Sequence, residues 1–124
     1  MSIETLRERW AMRLETRKRD GSVVATPVNV AVEGERAYFA TPEVTAKVKR
    51  LRNFPQVRVC ASTVTGKPRG PVIEAHARRL EGAEAEAAER LLFSRYRFVR
   101  TVMVPLELRK RGCAEAFYEL TASG

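Results

Sequence analysis

The sequence predicts one mainly β domain, a small antiparallel barrel, closed or split, with six strands and two helices. In several short segments apolar and polar residues alternate, which is the period of a half-buried strand. Neighbouring segments are joined by short connections that contain turn residues such as Asp20-Gly21, and short connections favour antiparallel hairpins. The 124 residues, of which 44% are hydrophobic, suffice for a single core. Together these features favour one small β domain.

The first half of the chain is predicted to form a meander followed by a helix. The strands are expected over residues 11–18, 23–32 and 36–41, and the helix over residues 43–53. The apolar face of the helix, spaced i, i+4, i+7, carries Val44, Val48 and Leu51. Pro27 lies inside the second strand, where a proline removes a ladder donor. That position fits either a sheet edge or a strand that turns backbone groups toward a ligand.

The second half is predicted to contain three strands and a longer helix. The strands are expected over residues 57–61, 71–80 and 114–121, and the helix over residues 83–96, with a basic turn over 65–70. Alanine, glutamate and leucine dominate the helix, and all three favour helix formation. The phenylalanines expected in the core are Phe39, Phe54, Phe93 and Phe117.

The chain is strongly basic, with a net charge of +8 and a pI of about 10.2. Electrostatics therefore favours an anionic partner: nucleic acid, an acidic membrane surface or a small polyanionic ligand. Nucleic acid is disfavoured because aromatic residues are few, at 7%, and lie in core-like patterns. The sequence has neither an apolar run of membrane-spanning length nor an apolar leader. Two distant cysteines, Cys60 and Cys113, predict reduced thiols in a cytoplasmic protein.

Hydrolytic, metal and nucleotide-loop chemistry are not indicated. His76 is the only histidine and lies between two alanines in a predicted strand, so no triad or metal site is expected. Neither a P-loop nor a Rossmann glycine motif occurs. No catalytic side chain is therefore predicted.

The start of the predicted helix at residues 43–53 suits a phosphate. Thr45 and Lys47 place a hydroxyl and an ammonium where free backbone N–H groups and the helix dipole already attract an anion. The alternative is a solvated cationic face, since Lys49, Arg50 and Arg52 follow directly.

Five segments carry a family resemblance. They are Arg17-Lys18-Arg19-Asp20-Gly21-Ser22, Thr26-Pro27-Val28, Tyr38-Phe39-Ala40-Thr41, residues 45–53 and Gly66-Lys67-Pro68-Arg69-Gly70-Pro71. Over residues 12–121 the chain resembles the pyridoxamine 5'-phosphate oxidase-like split-barrel flavoproteins. It is most similar to the short branch described as deazaflavin (coenzyme F420)-dependent oxidoreductases. The resemblance implies a six-stranded antiparallel FMN-binding-type split barrel, homodimeric, with one domain over residues 1–124 and a short extension over residues 1–10.

The resemblance also implies a cofactor site. Its residues are Thr26, Pro27, Val28, Asn29, Thr41, Thr45, Lys47, Val48, Lys49, Arg50, Arg69 and Gly70. The Thr-Pro-Val strand is expected to line the cofactor ring, and Thr41, Thr45 and Lys47 to surround its phosphate. Ala46 stands where FMN-binding members often carry an arginine, and Asn29 where many deazaflavin-type relatives carry a bulky aromatic residue.

The implied function is hydride transfer from coenzyme F420 to an unidentified small organic acceptor. The implied alternatives are an FMN-dependent oxidoreductase of the same fold, or a non-catalytic flavin- or deazaflavin-binding protein. No metal and no membrane partner are expected.

Overall fold

The protein forms one curled antiparallel sheet of seven strands, here in a computed structural model that describes residues 3–123. The strands are β1 (Ala11–Arg17), β2 (Val23–Asn29), β3 (Ala31–Glu33), β4 (Arg36–Pro42), β5 (Gln56–Ser62), β6 (Ile73–Leu80) and β7 (Glu115–Ala122). Their order in the sheet is β2-β1-β5-β6-β7-β4-β3. The mainly β split-barrel fold that the sequence predicts is confirmed.

A break at Val30 explains why the sheet curls. β2 and β3 lie at opposite edges of the sheet, yet only Val30 separates them along the chain. Because one residue spans about 3.3 Å, the two edges must approach each other, which closes the sheet into a split barrel. The prediction of one continuous strand over residues 23–32 is therefore wrong, and the strand count is seven rather than six. No sheet neighbour binds Val30; its backbone N–H and carbonyl both contact the hydroxyl of Tyr96.

The helical segments lie at the ends and on one outer face of the sheet. They are a short 3-10 helix (Ile3–Leu6), α1 (Ala46–Asn53), α2 (Gly82–Arg95), a π-helical turn (Val99–Met103) and α3 (Val104–Arg111). The sequence did not predict α3. Pro105 directly follows the π-helical turn and lies within one continuous helical run, where a proline lacks the N–H that a helix hydrogen bond needs.

The predicted start of α1 is also corrected. The helix begins at Ala46 rather than at residue 43. Val48 and Leu51 are buried as expected, but Val44 precedes the helix and is 60% exposed. Val44 therefore fits the i, i+4 spacing of the helix, although the backbone at Val44 is not helical.

Two hydrophobic clusters form the core. The larger one fills the barrel and includes Met12, Leu14, Phe39, Val59 and Leu120. The smaller one lies between α2 and the outer face of the sheet and includes Leu80, Leu92, Tyr96 and Phe117. Because both faces of β7 are covered, residues 116–120 are all buried. Phe39 and Phe117 lie in the core as predicted, whereas Phe54 is only partly buried and Phe93 is 40% exposed.

Candidate functional site

Two predicted phosphate contacts meet where β4 leads into α1. Thr41 is buried at the end of β4, and its hydroxyl oxygen lies 3.2 Å from that of Thr45. The Thr45 hydroxyl donates to the carbonyl of Pro42 at 3.0 Å and does not cap the helix. The first N–H groups of α1 therefore have no side-chain acceptor within the protein. The two hydroxyls, in contrast, already have acceptors, so a phosphate would have to displace one to receive its proton.

Lys47, in the first turn of α1, has no counter-ion among the described residues and is less exposed than the neighbouring Lys49. Its side chain is half-buried, and within residues 3–123 it forms neither an ion pair nor a side-chain hydrogen bond. Burial, and secondarily the positive charge of Arg50, lowers the pKa of Lys47 to about 8. A buried ammonium without an anion is destabilised. An anionic ligand would supply the missing partner.

A cationic cavity of about 380 Å³ lies between α1 and the turn that joins β1 to β2. It is lined by Arg17, Lys18, Arg19, Ala46, Lys49, Arg50, Asn53 and Phe54. Five of these residues are cationic and none is acidic. The nearby carboxylate of Glu43 is directed instead to Arg79, at 3.8 Å.

Arg50 fixes α1 against the sheet. Its Nε atom donates to the hydroxyl of Thr16 at 2.7 Å, and that hydroxyl lies 3.4 Å from the carbonyl of Val24 on β2. The guanidinium is thereby held at the cavity with its position set by β1 and β2. A charge held in this way is ready for an anion without further ordering.

The residues predicted to line the cofactor ring lie farther along β2. Pro27, Val28 and Asn29 line a cleft of about 120 Å³ with Trp10, Ala11 and Val64. β2 is an edge strand, so the expectation of an edge position for Pro27 is confirmed. Asn29 donates from Nδ2 to the carbonyl of Trp10 at 3.2 Å.

Thr26 lies between the cationic and the apolar ends of β2. It pairs with Leu14 across the sheet, and paired residues share a face, so its side chain is directed toward the barrel interior. Its hydroxyl oxygen is buried and has no hydrogen-bond partner. Buried hydroxyls in native proteins are normally paired, so an orphaned one fits a ligand with polar groups.

The basic turn over residues 63–70 folds back onto β2 of the same chain. A Cβ at Gly66, where φ is +93°, would lie 3.6 Å from Cδ of Pro27. Gly70 lies close to β5, where a Cβ would approach that of Ala61 to 3.3 Å. Arg69 is exposed, and its guanidinium contacts only the carbonyl of Pro68, at 3.2 Å. The turn thus places Arg69 near the predicted ring strand with its charge available.

The predicted site residues therefore form two groups joined by β2. One end of β2 contacts Arg50 through Thr16, and the other end forms the apolar cleft. Asn29 lies five positions beyond Val24, which is about 16 Å along a strand. An elongated molecule with an anionic end and a planar apolar end fits this spacing. Thr26 lies between the two ends along β2, with its hydroxyl on the interior face of the strand. The donor set present therefore fits a flavin-like phosphate ester.

The structure adds residues that the sequence did not place in the site. Arg17, Lys18 and Arg19 belong to the first motif of the family resemblance but not to the cofactor residues that it implies, and Trp10 belongs to none of its motifs. The hairpin signal at Asp20-Gly21 was the clue for the three cations, because a turn there directs them back over the neighbouring helix. No sequence pattern indicates the contact of Trp10 with β2.

Other features suit an anion less well. A cavity of about 450 Å³ beside α2 contains Glu119, which is buried and bound by Arg36 and Arg78. A cavity of about 570 Å³ near the end of β6 is lined by acids as well as arginines. His76 is exposed, and residues 3–123 contain no cluster of three metal-ligating side chains. Nor do they contain a helix that is long and apolar enough to cross a membrane.

Comparison with solved structures supports the fold. The chain superimposes on a protein of unknown function from Agrobacterium tumefaciens with a TM-score of 0.76 and 18% identity, covering 97% of this chain and 51% of that one. A protein from Listeria innocua provisionally assigned as a pyridoxamine 5'-phosphate oxidase gives a TM-score of 0.69 and 12% identity, over 98% and 90%. A FAD-binding protein from Mesorhizobium loti gives 0.64 and 15%, over 98% and 86%.

These neighbours have the split-barrel fold of the pyridoxamine 5'-phosphate oxidase type, so the chain shares that fold. No family model matches the chain. No curated protein matches it either. Identities this low establish the fold and leave the ligand to the chemistry of the site.

Proposed function

We propose that this protein is an oxidoreductase that binds deazaflavin coenzyme F420, whose reduced form gives a hydride to a small organic acceptor and is thereby oxidised. The observation that carries the proposal is the cavity at α1, whose charged lining residues are all cationic, with the unpaired Lys47 on the same helix and an apolar cleft farther along β2. The bound cofactor supplies the hydride chemistry. The protein binds its anionic end, orients its ring and limits access of water.

The roles of the residues follow from their positions. Lys47 and the first N–H groups of α1 bind the phosphate. Thr41 or Thr45 also donates to it, after its hydroxyl gives up the hydrogen bond that it makes within the protein. Thr26 donates its free hydroxyl to the polar linker of the cofactor. Pro27, Val28 and Asn29 contact the ring, Val48 supports the phosphate region from the core, and Gly70 brings Arg69 close to the ring strand.

The excess of cations favours the deazaflavin over FMN. A single phosphate is satisfied by two or three donors, whereas the cavity presents five cationic residues. Coenzyme F420 carries a polyglutamate tail, which requires such a surface. Lys49 and Arg50 in the cavity, with Arg52 exposed on the same helix, are proposed to hold that tail. Arg69, on the turn beside Pro27, is proposed to meet it from the ring end of β2.

The test is a calorimetric titration of the protein with F420, with FMN in parallel. We expect micromolar or tighter binding of F420 and weaker binding of FMN. The Lys47→Ala variant should bind F420 at least about tenfold more weakly, because a hydrogen bond to a charged group contributes about 1.5–3 kcal/mol. Arg90→Ala, which removes an exposed cation on α2, is the control and should bind like the wild type. Unchanged affinity of Lys47→Ala would show that the phosphate lies elsewhere.

The alternative functions give different results in the same experiment. Tighter binding of FMN would identify an FMN-dependent oxidoreductase of the same fold. Tight binding of either ligand without turnover of enone or quinone acceptors would identify a non-catalytic binding protein. If neither ligand binds and nucleic acid binds with a steep salt dependence, the basic surface serves phosphate backbones instead.

A further inference from the structure

Trp10, the only tryptophan of the chain, is held firmly beside β2. Its backbone carbonyl lies 2.7 Å from the hydroxyl of Tyr96 and accepts a hydrogen bond from Asn29. The two aromatic rings meet edge to face, with centroids 4.7 Å apart and planes inclined at 76°. Tyr96 itself is only 1% exposed. The position of Trp10 is therefore set by the core, although Trp10 belongs to no helix or strand.

The residues before Trp10 are fixed in the same way. Arg95 donates to the carbonyls of Arg7, at 2.6 Å, and of Arg9. Despite this fixed backbone, the side chain of Trp10 is 49% exposed. An aromatic ring of this size is usually buried. A fixed and half-exposed indole offers contact area at little cost in conformational entropy.

The exposed part of the indole is one wall of the cleft on β2. The other lining residues are apolar except Asn29, whose amide already donates to the carbonyl of Trp10. The cleft measures about 120 Å³, far less than the roughly 300 Å³ at which pockets enclose a small molecule. It therefore suits one edge of a planar ring whose remaining surface lies outside it.

We propose that Trp10 contacts the cofactor ring and supplies an aromatic surface where this chain has Asn29 instead of a bulky aromatic residue. This inference rests on the proposed function and adds a residue to it. Aromatic rings gain about 0.5–1.5 kcal/mol from stacked or edge-to-face contact, beyond the area that they bury. The indole would align the ring against Pro27 and Val28 while the cations of α1 hold the other end of the molecule.

The experiment compares F420 binding by the wild type, Trp10→Ala and Trp10→Phe, followed by calorimetry and by the absorbance of the ligand. Trp10→Ala should weaken binding about three- to tenfold, whereas Trp10→Phe should stay within about twofold. The bimolecular rate of acrylamide quenching of Trp10, obtained from fluorescence lifetimes, should fall when F420 saturates the protein. The double variant Trp10→Phe/Phe93→Trp moves the only tryptophan to a site on α2 that is 40% exposed, where F420 should leave the rate unchanged.

The outcomes separate this inference from the proposed function. Wild-type affinity in Trp10→Ala, with unchanged accessibility of Trp10 in the wild type, would overturn the role of Trp10 and leave F420 binding intact. Failure of the wild type to bind either F420 or FMN would overturn both. If Trp10→Ala does not fold, the accessibility measurement on the wild type and its double-variant control decides.

Discussion

At the residue scale, the site is marked by polar groups that the folded chain leaves without partners. Lys47 has no counter-ion, and the hydroxyl of Thr26 has no hydrogen bond. Elsewhere similar groups are satisfied: Glu119 is buried with two arginines, and Arg100 is buried with Glu115. An unpaired buried hydroxyl costs about 1–3 kcal/mol, so these exceptions fit a role in binding rather than in stability.

Lys47 makes stability depend on pH in the alkaline range. Burial lowers its pKa to about 8 in the folded chain, against about 10.4 when unfolded. Between these values the unfolded chain binds more protons, so the contribution of Lys47 to stability rises with pH. The loss of stability caused by burying the charged Lys47 side chain is fully present below pH 8 and disappears toward pH 10.4. Lys47→Met should therefore be more stable than the wild type at pH 7, with a difference that shrinks by pH 10.

Urea unfolding of both proteins at several pH values measures this difference. Lys110→Met is the control for the loss of an exposed ammonium. A difference between Lys47→Met and wild type that stays constant from pH 7 to pH 10 would mean that Lys47 is not desolvated in the folded chain.

At the element scale, the split barrel depends on how α2 ends. Tyr96 follows the last residue of α2, and its hydroxyl accepts from the N–H of Val30 at 3.0 Å. The same hydroxyl lies 2.8 Å from the carbonyl of Val30 and 2.7 Å from that of Trp10. The Tyr96 side chain therefore binds the backbone groups of Val30, at the break between β2 and β3, and also holds the segment before β1. The hydrogen bonds of the Tyr96 hydroxyl therefore hold both the junction of the two sheet edges and the Trp10 side of the ring cleft.

Removal of the Tyr96 hydroxyl should destabilise the fold. Tyr96→Phe leaves the N–H of Val30 buried without an acceptor, which should lower the free energy of unfolding by about 1–3 kcal/mol. Chemical denaturation measures the change. Tyr38→Phe is the matched control and should have little effect, because the Tyr38 hydroxyl lies 3.4 Å from a carboxylate that two arginines already bind. Equal stability of both variants would show that Tyr96 is not needed at the break.

At the scale of the whole molecule, the helical segment over residues 98–111 is mostly exposed. None of the residues of α3 is buried, and Phe98, Met103 and Leu106 are each more than half exposed. The ring cleft is also open on one side and encloses little volume. Exposed apolar surface of this kind marks an interaction site, and a second copy of the chain would cover it in a closed pair.

We therefore predict a homodimer in solution, as the family resemblance implies. Size-exclusion chromatography with light scattering should give a mass of about 28 kDa, twice the 14.0 kDa of one chain. The measurement should be repeated with F420, since a cofactor that both subunits contact stabilises the pair by mass action. A mass of 14 kDa at all concentrations, with and without F420, would exclude the dimer.

The sequence by itself determined most of the strand pattern, the basic charge and the grouping of Thr45 and Lys47 at a helix start. These are local properties: side chains alternate with a period of two, and hydroxyls and cations at a helix start are adjacent in the chain. The missing N–H of Pro27 left two interpretations open, and the place of β2 in the sheet showed the edge.

Only the tertiary structure decided the break at Val30, the third helix and which residues form the two parts of the candidate site. Val30 continues the alternation of β2, so its departure depends on the hydroxyl of Tyr96, which is 66 residues away. Trp10 meets β2 because Arg95 and Tyr96 at the end of α2 hold its segment, and this contact between distant segments leaves no pattern along the chain. The Asp20-Gly21 signal predicts the hairpin after Arg17–Arg19, but only the packing of α1 brings these cations beside it.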